Sequence, residues 1–220
     1  MRVVAVHRYP VKSLHGESLD RADVGPRGLD GDRLWALREP DGKLGSGKST
    51  RRFRRMAGLL ELHAAYDGVV PVVSFPDGRS WRGPDADLDA ALTAYVGRPV
   101  ALAREADVAH HDEGPLHLVT TATLARLGTD GPTLRANLVV DAPGLAAFAE
   151  DGWVGREVRV GGAVLRVRGP MPRCVMVGAD VLAEVTRVNG GCAGVVVDVI
   201  GGGEVQVGVD VLLEDRADAR

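Results

Sequence analysis

Short runs rich in Val and Leu, each closed by a Gly, Pro or Asp turn, dominate this chain and leave little room for long helices. Residues 2–9, 33–37, 59–65, 70–75, 116–119, 138–140, 158–160, 163–167, 195–200 and 204–207 read as strands, and Asp41-Gly42 and Asp77-Gly78 as turns between them. With 29 glycines and closely spaced strands, the pattern predicts antiparallel barrels or sandwiches. The alternating βα units of a parallel sheet are not legible. Helices are expected only at 85–95, with Asp87 as the cap and Gly97 and Pro99 as the stop, and at 121–127.

The 220 residues suit one large domain or two small ones. A charged stretch without clear period at 98–113 is the best seam, which predicts domains at 1–98 and 105–215. Two cysteines eighteen residues apart make no disulfide framework, so a reducing cytoplasm is expected. No apolar run approaches the length of a membrane span. The net charge of −3 is too mild to point to a nucleic acid or a membrane. The run KSTRRFRR at 48–55 is locally basic and reads best as solvated strand-edge charge.

GPMPRCVM at 169–176 places Cys174 in a stiff, cationic stretch. Pro170 and Pro172 each fix φ and remove a backbone donor, so this stretch is expected to stay outside any sheet ladder. Arg173 beside the thiol favours the thiolate, the form that attacks electrophiles and binds soft metals. A buried apolar cysteine is the plain alternative.

Two further patterns carry less weight. GKLGSGKS at 42–49 satisfies the phosphate-loop spacing, and LVVD at 138–141 could pass for its magnesium-binding partner. A true phosphate loop needs a buried strand directly before it, and Glu39-Pro40-Asp41 is a turn. A P-loop NTPase is therefore the weakest reading. His110, His111, Asp112 and His117 are expected to be surface loop residues, since adjacent strand side chains point to opposite faces and do not share one metal.

Taken in order, RANLVVD (135–141), FAEDGWVGREVRVGG (148–162), GPMPRCVM and GEVQVGVDVLL (203–213) resemble the MOSC domain, named for the C-terminal domain of molybdenum-cofactor sulfurases. RYPVKSL (8–14), GLDGDRLW (28–35) and the DGKLG turn resemble the β-barrel domain that often precedes it. The resemblance implies a mainly β fold with a few short helices, a MOSC-like barrel after a smaller N-terminal β-barrel domain. It makes the false phosphate loop a hairpin after the DG turn.

The resemblance also implies a molybdenum cofactor with Cys174 as catalytic residue and metal ligand. By position it assigns cofactor contacts to Lys12, Ser13, Arg33, Asp112, Thr120, Thr121, Arg135, Asn137 and Arg173. Guanidinium forks suit a phosphate and planar pterin edges alike. The implied activity is an oxidoreductase reducing N-hydroxylated or similar N–O substrates. The alternative is a non-redox sulfur carrier with a Cys174 persulfide. Pyridoxal phosphate also figures in family descriptions, but no lysine here stands in a context suited to its Schiff base. Two cysteines cannot hold an iron–sulfur cluster, so redox turnover implies a separate electron-donor protein. The expected partners are that donor and a small-molecule substrate, with no nucleic acid and no membrane. Three departures from the family pattern stand out: Met171 in the cysteine loop, a short stretch after Cys174, and VGVD where VGD is usual.

Overall fold

The computed structural model describes residues 1–107 and 109–214. Its strands are β1 (Arg2–Arg8), β2 (Glu17–Leu19), β3 (Arg21–Gly25), β4 (Gly28–Leu29), β5 (Trp35–Arg38) and β6 (Leu44–Ser46). There follow β7 (Phe53–Arg55), β8 (His63–Asp67), β9 (Val70–Ser74), β10 (Ser80–Arg82), β11 (Ala101–Arg104) and β12 (Leu116–Thr120). The last six are β13 (Leu138–Asp141), β14 (Glu157–Val160), β15 (Ala163–Pro172), β16 (Cys192–Gly201), β17 (Gly203–Gln206) and β18 (Val211–Leu213). The helices are short: α1 (Ala86–Val96), α2 (Thr121–Leu127) and α3 (Ala179–Asn189). The fold is mainly β, as the turn-bounded strands predict.

The chain forms two compact units. One comprises residues 1–7, 18–30 and those from 112 onward; the other comprises 8–17 and 31–111. The sequence suggests one seam near residue 100, whereas compactness groups the chain by interleaved segments. Residue 215, the expected end of the second domain, lies outside the described residues.

In the first unit an eight-stranded sheet runs β18-β14-β15-β16-β12-β13-β1-β2. Val3 N donates to Val209 O at 3.0 Å, Gly208 N to Val3 O at 2.8 Å and Val211 N to Met1 O at 2.8 Å. These bonds bring β1 against the chain entering β18, so the sheet curls back on itself. Its inner face buries Val6, Leu118, Leu138, Val158, Leu165 and Val197. β14 and the start of β15 alternate inward and outward, whereas β12, β13 and the middle of β16 are buried on both faces.

Three features depart from the sequence reading. First, β12 and β13 are parallel, with Leu118 opposite Leu138, and α2 lies between them in the chain. The helix at 121–127 was expected, but the βαβ unit it completes escaped the pattern because parallel pairing is a long-range property. Second, β15 runs on through both prolines, pairing Pro170 with Val195 and Pro172 with Cys192. The register shifts between Val167 and Gly169 and again between Pro170 and Pro172. The opposite neighbour, β14, reaches only as far as Arg166, so the proline-bearing end has one partner strand and an open edge. Proline is tolerated at bulges and edges, and this segment offers both. Third, residues 179–189 form α3, which buries Val185 and packs Val181, Leu182 and Val188 beside it.

The second unit holds two small sheets, β10-β9-β8 and β11-β5-β6-β7. Leu37, Leu59, Leu62, Val73, Leu88 and Leu92 fill its core. Asp85, not Asp87, caps α1: its Oδ1 accepts from Leu88 N at 2.8 Å. The Asp41-Gly42 turn joins β5 to antiparallel β6, as the hairpin reading expects, and β6 then pairs in parallel with β7. The phosphate-loop look-alike therefore contains a strand and leads into another strand, not into a helix.

Candidate functional site around Cys174

Cys174 follows the last residues of β15, is half-buried, and opens a short 3-10 turn at Val175–Val177. The preceding amide, Arg173 N, donates to Gly191 O at 2.8 Å and keeps the segment beside the start of β16. Val175, next along, is 60% exposed, so the thiol stands at a solvent-reached strand end.

The guanidinium of Arg173 has several fixed partners in the same unit. Nε donates to Ala193 O at 2.9 Å and Nη1 to Leu134 O at 2.8 Å. Nη2 reaches both Ala193 O and Nε2 of His117. A guanidinium only donates, so the His117 nitrogen that faces it accepts and carries no proton. Leu134 directly precedes Arg135, which is held at φ +53. One side chain thus ties the Cys174 segment to the Arg135 turn.

The other candidates in this unit are knitted into the fold. Asn137 is fully buried; its Oδ1 accepts from His117 N and its Nδ2 donates to His7 O, both at 3.1 Å. It therefore stitches β12 and β1 to β13. Thr120 caps α2 through its Oγ1, which also donates to the buried Glu150 at 2.9 Å. Thr121 Oγ1 donates to Asp141 at 2.9 Å. Asp112 is exposed.

Cys192 heads β16. Burial pushes its thiol pKa up, the Asp151 carboxylate pushes it further, and Arg173 opposes both. Asp151 is itself raised by burial, against the pull of its hydrogen bond from Asn189.

Lys12, Ser13 and Arg33 lie in the second unit. Lys12 is 5% exposed; its Nζ donates to His110 O at 3.0 Å and stands 4.1 Å from the Phe53 ring centroid. Arg33 pairs with the buried Asp32 and lies over the Tyr9 ring at 4.8 Å. Ser13 is buried, and its Oγ has no hydrogen-bond partner among the described residues. A buried orphan hydroxyl costs free energy unless something absent from the chain satisfies it.

The backbone adds a second sign. Among the described residues, φ is positive at four non-glycine positions: Ser13, Arg33, Arg135 and Phe148. Three of these four are candidate cofactor residues. Such strain is disfavoured for residues with a Cβ and gathers at functional sites.

The histidines reverse expectation. His110 and His117 are not surface residues but buried, at 0% and 2% exposure. Burial drives the His110 pKa down to about 4, with Glu105 opposing and Lys12 and Arg38 assisting. His117 sits on β12 between two buried leucines but on the opposite face from them, and it is buried because both faces of β12 are covered. No sequence signal announces that Arg173 spends its guanidinium on backbone carbonyls.

Sequence comparison matches residues 1–82 to the MOSC N-terminal β-barrel domain and residues 101–212 to the MOSC domain. Comparison with curated proteins gives no significant match. Similar solved structures include the YuaD protein of Bacillus subtilis, 16% identical, with 96% of this chain and 93% of that one covered and a TM-score of 0.48. YiiM of Escherichia coli is 14% identical, with 99% and 71% covered and a TM-score of 0.48. YiiM of Geobacillus stearothermophilus is 17% identical, with 48% and 56% covered and a TM-score of 0.38. The two domain matches follow one another in chain order and span the segments built above, and the chain belongs to the MOSC family, an N-terminal β-barrel domain followed by a MOSC domain.

Proposed function

We propose that this MOSC protein binds molybdenum cofactor through Cys174 and reduces N-hydroxylated or related N–O compounds. The observation that carries the reading is the Cys174 thiol itself: half-buried at a fixed strand end, with its neighbour Arg173 anchored to the turn that bears Arg135.

The residues present fit such a group. No cluster of three or more His, Cys, Asp or Glu side chains suited to a metal occurs among the described residues. A metal at Cys174 therefore suits a group that brings its own sulfur and oxygen ligands. The orphan hydroxyl of Ser13 and the cations Lys12 and Arg33 suit a phosphate or a pterin edge. Arg135 supplies a further guanidinium on a strained, preset backbone. When bound, the cofactor supplies two-electron oxygen-atom chemistry. The protein's own part is to ligate through the Cys174 thiolate, to orient the group with Arg135, and to hold Cys174 still. Asn137, Thr120 and Thr121 serve by keeping β12, β13 and α2 in place, since their side chains bond inside the fold. Electrons reach the site from a separate donor protein.

Metal analysis with released-pterin fluorescence, on protein from a cofactor-competent host, tests the reading beside Cys174→Ala. Near-stoichiometric molybdenum and pterin, with metal lost in the variant, is the expected result. Protein that carries neither from such a host overturns it. A persulfide on Cys174, revealed by cyanolysis of the colourless protein, would then assign a sulfur carrier instead.

A further inference from the structure

His117 lies 57 residues before Cys174 in the chain and has no place among the proposed cofactor contacts, yet its ring is held as if its position mattered. Its backbone is fixed on both sides by one residue: N–H donates to Asn137 Oδ1 at 3.1 Å, and C=O accepts from Asn137 N at 2.9 Å. The ring is accommodated by Gly194, where φ is +68 and a Cβ would fall 2.5 Å from His117 Nε2. Any side chain at 194 would drive the ring away. The ring, 2% exposed, then presents Nε2 closely to Arg173 Nη2, with Nδ1 farther off at 3.4 Å, a distance at which a bond is weak.

That acceptor has a specific job. Arg173 turns its fork toward Leu134 O through Nη1 and toward Ala193 O through Nε and Nη2. His117 adds a third acceptor of fixed direction to the same fork. An acceptor facing a guanidinium carries no proton on that atom, and a buried imidazole nitrogen held by its strand can play this part. A carboxylate would also accept, but at the cost of a second buried charge.

We propose that His117 is the positioning residue of the Cys174 segment: through Arg173 it holds Cys174 and the Arg135 turn in one frame. It touches no substrate and no cofactor. Its importance takes Cys174 as the working thiol from the function proposed above, but its physical content stands without that reading.

The test uses protein from a host that makes no molybdenum cofactor, in a Cys192→Ser background so that one thiol is read. The rate of Cys174 alkylation by iodoacetamide at neutral pH reports how firmly the segment is held, and amide hydrogen exchange at Arg135 reports the other end of the clamp. His117→Gln places an amide oxygen where Nε2 stands, whereas His117→Asn places it near Nδ1 and His117→Leu supplies none. Alkylation is expected to rise on the order of tenfold in the Leu and Asn variants, as loss of a bond to a charged group predicts, and to return to within about twofold in Gln. Exchange at Arg135 is expected to follow the same order. Equal rates in all four proteins would overturn the proposal. So would equal acceleration in Gln and Asn, because the ring's bulk and not its acceptor would then matter. If His117→Leu does not fold, the Gln–Asn difference alone decides. Metal content plays no part, so failure here and failure of the cofactor reading are separable.

Discussion

Arg173 Nη1 donates to Leu134 O at 2.8 Å across 39 residues of chain, and this bond joins the segment that carries Cys174 to the turn that carries Arg135. Sequence gave Arg173 a different role, as a cation that lowers the pKa of the neighbouring thiol. In the folded protein its guanidinium acts first as a strut. Replacing it with Met keeps most of the stem and leaves the Leu134 and Ala193 carbonyls, both in buried residues, without their charged donor. The expected loss is about 1.5–3 kcal/mol of stability, measured by urea unfolding. Arg173→Lys recovers only part, because an ammonium lacks the planar fork.

The two cysteines should behave differently. Burial and Asp151 hold the Cys192 thiol above its ordinary pKa. In a Cys174→Ser background, Cys192 is expected to alkylate slowly at pH 8. Asp151→Asn removes the negative charge, lowers the thiol pKa and speeds the reaction. Alkylation rates followed from pH 7 to 10 check this, and an unchanged profile would sink it.

His110 makes the second unit sensitive to acid. An unfolded histidine takes its proton near pH 6.5, while the buried one resists until about 4, so the unfolded chain binds more protons between those values. Its contribution to stability is complete above about pH 6.5, falls as the pH drops, and levels off near 4, a span of about 3 kcal/mol at most. His110→Leu should flatten this part of the stability–pH curve. A curve parallel to that of the parent protein would show that other groups carry the effect. His7, whose pKa burial also lowers, contributes in the same direction in the other unit.

Asn137 bonds to backbone groups of two other strands. Asn137→Leu strands the His117 N–H and the His7 C=O of those bonds and is expected to cost about 2–4 kcal/mol, counting each at the usual penalty. The midpoint of urea unfolding measures it. A loss below about 0.5 kcal/mol would mean that water reaches these groups and replaces the amide.

The phosphate-loop pattern should bind nothing. Ser46 N and its neighbours belong to β6, and Lys48 opens no helix. Calorimetry with Mg-ATP is expected to show no binding to the unmutated protein and no change in Lys48→Ala.

How much of this was legible depended on the range of the interaction. Local patterns served well: 121–127 is a helix as read, and most Val-rich runs are strands. The seven-residue α2 was legible as a helix, but its role as a βαβ crossover was not, because parallel pairing is a long-range property. Proline rules misjudged β15, since the rule depends on whether a neighbour strand is present, and β14 ends before Pro170. The α3 stripe of Val181, Leu182, Val185 and Val188 was there to be read, but the stretch after Cys174 drew notice only for its shortness and no helix was expected in it. Around Cys174, residue types were legible and acceptors were not. Carbonyls of Leu134 and Ala193 carry no sequence signature. Nor did any local pattern mark Ser13, Arg33 and Arg135 for the left-handed region.

The pairing of β1 with β13, and of residues 1–3 with 208–211, has a consequence for anyone who would divide the chain. A cut at the family boundary near residue 100 would separate the eight-stranded sheet from its seventh and eighth strands, β1 and β2. The excised piece would expose the edge of β13, with Val139 and Val140 along it, to any strand that came by. Residues 1–7 act as the closing stave of a cask most of whose other staves come a hundred residues later. The smallest piece that can be expected to stand alone must carry both.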